Sequence, residues 1–197
     1  KTKNKNRYKY QLLSSILGIG TQSLLYQQLR EERGLSYNIS CHCETSINNG
    51  FMIISVETDN KKVYETIEII MKILQDMKTN FISDVLLKSY KNLLNIQEEL
   101  SLDTIDDHAE YYVNNLVYDI KYETIPEKIK KRNQVSKIHI KNLCKKIFVN
   151  DGFVFVSLGR LTNNSKLRKL LNTNHINIVF RLTEIIISAR TFVSELK

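Results

Sequence analysis

The spacing of apolar positions switches repeatedly between a helical and a strand period, and each switch marks an element. Tyr10 to Leu17 is apolar at helical spacing, and Gly18-Ile19-Gly20 interrupts it. A second helix is expected from Leu24 to Arg33, with Leu25 and Leu29 one turn apart. Thr21 or Ser23 suits its N-cap, and Gly34 suits its end. The period then drops to two. Leu35, Tyr37, Ile39, Cys41 and Cys43 alternate with Ser36, Asn38, Ser40, His42 and Glu44. That is a strand with Tyr37 on its buried face. Asn49-Gly50 is a turn dipeptide, and Phe51 to Val56 is apolar on both faces, so residues 35–57 read as an antiparallel hairpin.

Beyond the hairpin the helical period returns. Val63, Ile67, Ile70, Leu74 and Met77 form one stripe, with Asp59 or Asn60 as cap. Ser83 opens a helix that carries Leu86, Leu87, Tyr90, Leu93 and Leu94 inward. Further helices are expected over 104–117, over 125–133 with Pro126 in the first turn, and from Ser136 to Phe148. Phe153 to Leu158 reads as a closing strand. Lys166 to Leu171 fits a helix, and Leu182, Ile185, Ala189, Phe192 and Leu196 fit an amphipathic last one. The order defines an α+β fold, an antiparallel sheet packed against several helices. Three regions follow: a basic flexible arm at 1–9, the α+β domain at 10–160, and a helical C-terminal extension at 161–197.

Composition narrows the class. Apolar residues make up 42% of the 197, enough for a core and too many for a disordered chain. Three cysteines, an odd number, exclude a disulfide scaffold and suit a reducing intracellular compartment. No apolar run is long enough to span a membrane. The net charge of +8 permits an acidic or nucleic-acid partner. Base-stacking aromatics beside the basic clusters are lacking, however, so no nucleic-acid partner is expected.

Candidate chemistry is sparse. H-x-x-E-H and H-E-x-x-H are absent. His108-Ala109-Glu110 lacks the P-C-x-x-C that would complete a deaminase centre. Cys41-His42-Cys43 resembles a ligand cluster, but on a strand the two thiols face one way and the imidazole the other. Cys144 lies beside Lys145 and Lys146, whose charges lower a thiol pKa when the sulfur is exposed to them, but a buried structural thiol is the default reading. No metal ligand and no cofactor is expected in this chain.

One segment carries more. Leu17-Gly18-Ile19-Gly20-Thr21-Gln22-Ser23-Leu24-Leu25-Tyr26-Gln27-Gln28-Leu29-Arg30-Glu31-Glu32-Arg33-Gly34-Leu35-Ser36-Tyr37 resembles, without a gap, the L-G-G-G-x-S-S-R-L-F-x-x-L-R-E-x-R-G-L-A-Y stretch of insulinase-like metallopeptidases. Ile19 stands where that family has a glycine, and Leu24 where it has an arginine. The Thr58-Asp59-Asn60-Lys61-Lys62-Val63 helix start and the Phe153 to Gly159 strand fit the same pattern, so the resemblance covers about residues 10–160.

The resemblance implies an insulinase-like domain lacking its usual first strand, and of the zinc-free, C-terminal type. Such domains pair with a zinc-bearing domain or subunit, so zinc is expected in the partner and not here. Alone, the chain is expected to hydrolyse nothing. The family's substrate-contacting Arg and Tyr, seven residues apart, fall on Arg30 and Tyr37. They imply binding of peptide substrate and completion of the partner's active site. An Arg fork and a phenol both donate to peptide carbonyls. On residue chemistry alone, Tyr37 as a core tyrosine and Arg30 as a solvated helix charge remain open. A catalytically silent scaffold subunit is the alternative, and a basic nucleic-acid-binding domain the third reading.

Overall fold

The computed structural model describes residues 6–45, 50–149, 153–159, 163–171, 176–179 and 184–190. Helix α1 (Arg7–Gly18) leads into a short α2 (Leu24–Tyr26), which continues as a π-helical turn over Gln27–Glu31. Strands β1 (Ser36–Thr45) and β2 (Gly50–Thr58) follow. Five helices come next: α3 (Val63–Thr79), α4 (Asp84–Leu100), α5 (Ile105–Val117), α6 (Ile125–Asn133) and α7 (Lys137–Ile147). Strand β3 (Phe153–Leu158), helix α8 (Asn164–Leu171) and strands β4 (Ile176–Val179) and β5 (Glu184–Arg190) complete the order.

The strands form one sheet in the order β1-β2-β5-β3-β4. Every pair is antiparallel except β3 with β4, which is parallel, so the sheet is mixed where an antiparallel one was expected. Cys41, Met52, Ile54, Val56, Phe153 and Phe155 point to the helical layer and are buried. Their neighbours Phe51, Ile53, Val154 and Val156 lie on the other face and keep partial exposure. This alternation is the period of two read from the sequence. The α3 stripe is the expected one, with Val63, Ile67, Ile70, Leu74 and Met77 all buried. Helix α1 contributes Leu12, Leu13, Ile16 and Leu17, each at 0% exposure, so it is the innermost helix.

Helix starts follow their caps. The Ser83 hydroxyl accepts the Leu86 amide of α4, while Thr104, Thr124 and Ser136 close reciprocal capping boxes on α5, α6 and α7. Lys62, with no side-chain cap, precedes α3, and the Asp59 carboxylate instead accepts the Lys61 amide.

Three expectations are corrected. Helix α1 begins at Arg7, not Tyr10, because Tyr8 is buried and Arg7 pairs with Glu123; the flexible arm does not reach residue 9. The helix expected through Arg33 is α-helical only to Tyr26 and then widens to a π turn. The extension is not helical throughout, because 184–190 is strand β5, paired on both sides. Ile185-Ile186-Ile187 is a β-branched run, and an apolar run that short fits either period. The expected Asn49-Gly50 turn and the end of the last helix at Phe192 and Leu196 fall largely outside the described residues.

Candidate functional site

The junction between α1, the π turn and β1 builds the site. Gly18, the last residue of α1, lies directly on β1. A Cβ there would stand 2.3 Å from the Cys41 nitrogen and 2.5 Å from the Cys41 Cβ. Glycine is therefore a packing requirement at this crossing. The Tyr90 hydroxyl of α4 donates to the Ile19 carbonyl at 2.8 Å and ties the following loop down.

The π turn then sets the angle into β1. The Glu32 amide donates to the Gln27 carbonyl, five residues back, at 3.0 Å. The Gly34 and Leu35 amides close the helix end on the Arg30 and Leu29 carbonyls at 2.9 and 2.7 Å. Gly34 takes φ +56°, a left-handed conformation that suits a residue without Cβ. Single π turns recur at functional positions, because the extra residue re-aims side chains.

A register shift between Ser36 and Ile39 acts in the same way on the strand. It breaks the alternation at Tyr37, which points outward with 84% exposure. The expectation that Tyr37 shares the buried face of Ile39 and Cys41 is corrected; a bulge turns one residue away from the pleat. The Thr58 hydroxyl donates to the Leu35 carbonyl at 2.7 Å, and the Asn38 amide donates to the Glu57 carboxylate at 3.0 Å, fixing both sides of the bulge.

Arg30 and Tyr37 meet at this point. Arg30 Nη1 donates to the Tyr37 carbonyl at 3.1 Å. Its Cζ lies 5.5 Å from the Tyr37 ring centroid and 5.0 Å from that of Tyr26. The guanidinium is thus held by two aromatic faces, within cation–π range. Glu32 instead pairs with Arg33 at 3.0 Å. The Tyr37 hydroxyl has no hydrogen-bond partner among the described residues. The cluster presents a phenol and the remaining guanidinium N–H groups, donors suited to backbone carbonyls. Sequence reasoning missed Tyr26. Its signal was the four-residue step to Arg30, which puts both on one helix face.

The other candidates separate. Cys41 is buried at 1% exposure, whereas the His42 side chain is 46% exposed and lies 3.4 Å from Glu44. Among the described residues, no three His, Cys, Asp or Glu side chains gather where they could hold a metal ion. The described residues therefore do not fit zinc, and His108 on α5 belongs to no such group among them. Burial pushes the Cys43 thiol up to about 11 and the Cys144 thiol up to about 12. Burial raises Cys41 as well, with the neighbouring Cys43 adding to it. Cys144 thus follows its buried surroundings and not the adjacent lysines. At pH 8, iodoacetamide is expected to leave all three thiols of the folded protein intact and to label them after denaturation. Rapid labelling of folded Cys144, read by mass spectrometry, would contradict this.

Several of the basic residues are engaged internally. Lys128 and Arg132 hold Glu98 at 2.7 and 2.5 Å, Arg7 and Lys131 hold Glu123 at 2.5 and 2.8 Å, and Lys137 holds Asp84 at 2.8 Å. None of the described helices is long and apolar enough to cross a membrane.

The described residues form a helical layer on one face of a sheet, with an outward Arg–Tyr pair at a glycine-flanked helix–strand junction. Residues 1–94 match the family model described as the peptidase M16 inactive domain. Over 144 residues the chain is 24% identical to an uncharacterized zinc protease, YmxG, of Bacillus subtilis; the match covers 73% of this chain and 35% of that protein. The peptidase M16 inactive domain from Pseudomonas fluorescens superposes with TM-score 0.65 at 18% identity, over 73% of this chain and 34% of that one. A chain of complex III from Candida albicans gives 0.63 at 13% identity, over 72% and 36%. At such identities the structural likeness speaks to the fold. Over residues 1–94 the chain is thus similar to the inactive domain of the insulinase-like (M16) metallopeptidases. It spans about a third of the length of these relatives.

Proposed function

We propose that this chain is the substrate-contacting, non-catalytic domain of an insulinase-like zinc metallopeptidase. It binds peptide and completes the active site of a zinc-bearing partner domain or subunit. The observation that carries this reading is the Arg30–Tyr37 pair. The two side chains lie against each other, turned out of the core by a π turn and a bulge, with donors unspent. A core tyrosine would be buried, and a merely solvated arginine would not be held between two rings. Tyr37 O–H and the free Arg30 N–H groups donate to carbonyl oxygens of an extended peptide and hold its backbone in register.

The test is reconstitution with the zinc-bearing partner. Arg30→Ala and Tyr37→Phe are each expected to lower kcat/KM for peptide cleavage by about ten- to a hundredfold, the range for hydrogen bonds involving a charged group or a developing charge. Thermal stability should stay within about 0.5 kcal/mol for Tyr37→Phe, as for other exposed positions. Unchanged turnover in both variants would reduce the pair to a structural contact. The isolated chain is expected to cleave nothing.

One observation favours the scaffold reading. Helix α5 has no buried residue, and Ile105, Val113, Leu116 and Val117 are exposed on it. Such a surface suits a structural assembly. A stoichiometric native partner lacking H-x-x-E-H would decide for the scaffold.

A further inference from the structure

Helix α5 stands apart from the core. Of its 13 residues none is buried. Ile105, Tyr112, Val113, Leu116 and Val117 are all exposed, Ile105 at 87% and Leu116 at 81%. Their spacing puts them on one stripe, about 18 Å long at 1.5 Å per residue. The opposite side holds the helix in place. The Tyr111 hydroxyl donates to the Glu123 carbonyl at 2.9 Å, and the Lys128 ammonium lies 3.9 Å from the Tyr111 ring centroid. Tyr122 stacks on Tyr112, ring centroids 5.0 Å apart, and widens the stripe. An apolar face with aromatic anchors marks an interaction surface.

Charge indicates what covers it. Asp106 and Glu110 are exposed, one turn apart, on the edge of the stripe beside Val113 and Val117. Two copies of α5 packed face to face and antiparallel would set this acidic edge against itself. A parallel pair would set it against His108 and Asn115, which supply no fixed cation, and would align the two helix dipoles. The stripe therefore fits a basic-rimmed apolar surface and not its own image.

The chain carries such a surface elsewhere. Phe81, Val85 and Ile138 are exposed where the start of α4 meets α7. The Lys141 ammonium lies 4.1 Å from the Phe81 ring centroid, and Lys137 pairs with Asp84 at 2.8 Å, which ties the two helices together there. Lys88 and Lys145 are exposed on the same helix faces as Val85 and Ile138. With Asp84 engaged by Lys137, the rim keeps a positive excess. Lys141 and Lys145 are one turn apart, the same step as Asp106 and Glu110. The two surfaces belong to opposite ends of α4: Phe81 and Val85 stand at its start, while Lys128, which holds Tyr111, pairs with Glu98 near its end. One copy therefore offers both at once.

We propose that α5 docks on the Phe81–Val85–Ile138 surface of a second copy of this chain, head to tail, with Asp106 and Glu110 set against Lys141 and Lys145. Each pair leaves one surface of each kind free, so the contact propagates beyond two chains or closes into a ring. The inference stands whether or not Arg30 and Tyr37 contact substrate.

Sedimentation velocity of the purified chain from about 1 to 300 µM covers the affinity of a small interface. The mean mass should climb past that of two chains with concentration. Leu116→Lys sets a cation against the lysines, and Val85→Glu sets a carboxylate against the acidic edge. Both positions are exposed, so each variant should keep its melting temperature and sediment as a monomer. Mixed in equal amounts, the two variants should pair and stop at two chains, because one retains the basic surface and the other retains α5. A wild-type chain that stays monomeric throughout overturns the proposal and means that a different domain or chain covers α5. Assembly lost in Leu116→Lys but kept in Val85→Glu means a symmetric α5 pair and overturns it too. So does a mixture of the two variants that remains monomeric.

Discussion

Glu98→Ala is expected to destabilise the chain by about 3 kcal/mol or more, seen as a drop of about 10 °C in the unfolding midpoint. The substitution removes the one carboxylate that two cations share. Arg132 would then be left at 2% exposure beside Lys128, with no countercharge. A buried pair contributes little net stability when intact, because desolvation offsets attraction, but removing one partner leaves the other charge buried and unpaired. The neutral isostere Glu98→Gln should cost less, since its amide oxygen still accepts from one cation.

The same carboxylate sets a pH dependence. Burial pushes the Glu98 carboxyl up, but the hydrogen bonds and charges of Lys128 and Arg132 together outweigh it and hold the group below its ordinary value of 4.5. Glu123 follows the same logic: burial raises it, and Lys131, Tyr8 and Arg7 together bring it down. A carboxyl depressed in the folded state binds its proton more readily when unfolded. Its stabilisation is therefore fully present above the unfolded pKa and lost as pH falls through the folded one. Stability should decline below about pH 4.5, and Glu98→Gln should flatten that decline. An unchanged acid limb in the variant, followed by circular dichroism, would assign the loss to other groups.

Much of this architecture was legible from periodicity. The α3 stripe, the 35–57 hairpin and the helix starts at Ser83 and Ser136 are local signals, decided within a turn or two of chain. What was missed depends on contacts distant in sequence. Ile185-Ile186-Ile187 gives no hint that the strand pairs with both β2 and β3. Arg7 and Tyr8 read as part of a polar arm because their partner, Glu123, lies over a hundred residues away. The candidate site was legible in its residues but not in its geometry. Arg30 and Tyr37 were found by resemblance, whereas period two placed Tyr37 indoors. Alternation carries no record of a bulge, and helical spacing none of a π turn. The burial of Arg132 left no sequence signal, since a lysine-rich helix reads as a solvated face until its packing is known.

Gly18→Ala is expected to be the most disruptive single-methyl change, costing about 3 kcal/mol or more. In an ordinary helix this exchange stabilises by roughly 1 kcal/mol, because glycine is the poorer helix former. Here the sign reverses. The added Cβ meets the Cys41 nitrogen at 2.3 Å, its Cβ at 2.5 Å and the Ser40 carbonyl carbon at 2.8 Å, and two of those three atoms are backbone. Flexible side chains yield to an extra methyl for about 1–3 kcal/mol; a paired strand does not. Relief requires α1 to lift from β1, which opens the core at Leu13, Ile16 and Leu17, each fully buried. It also shifts the Ile19 loop anchored by Tyr90 and, through α2 and the π turn, the Arg30–Tyr37 cluster. The variant should therefore lose substrate affinity in the reconstituted enzyme along with stability, while Gly20→Ala should behave differently. Gly20 has nothing within 4 Å of its would-be Cβ, and only its φ of +76° resists substitution, at about 1–2 kcal/mol. Urea titrations of the two variants separate clash from backbone strain. Equal losses in both would mean that α1 is free to move off the sheet.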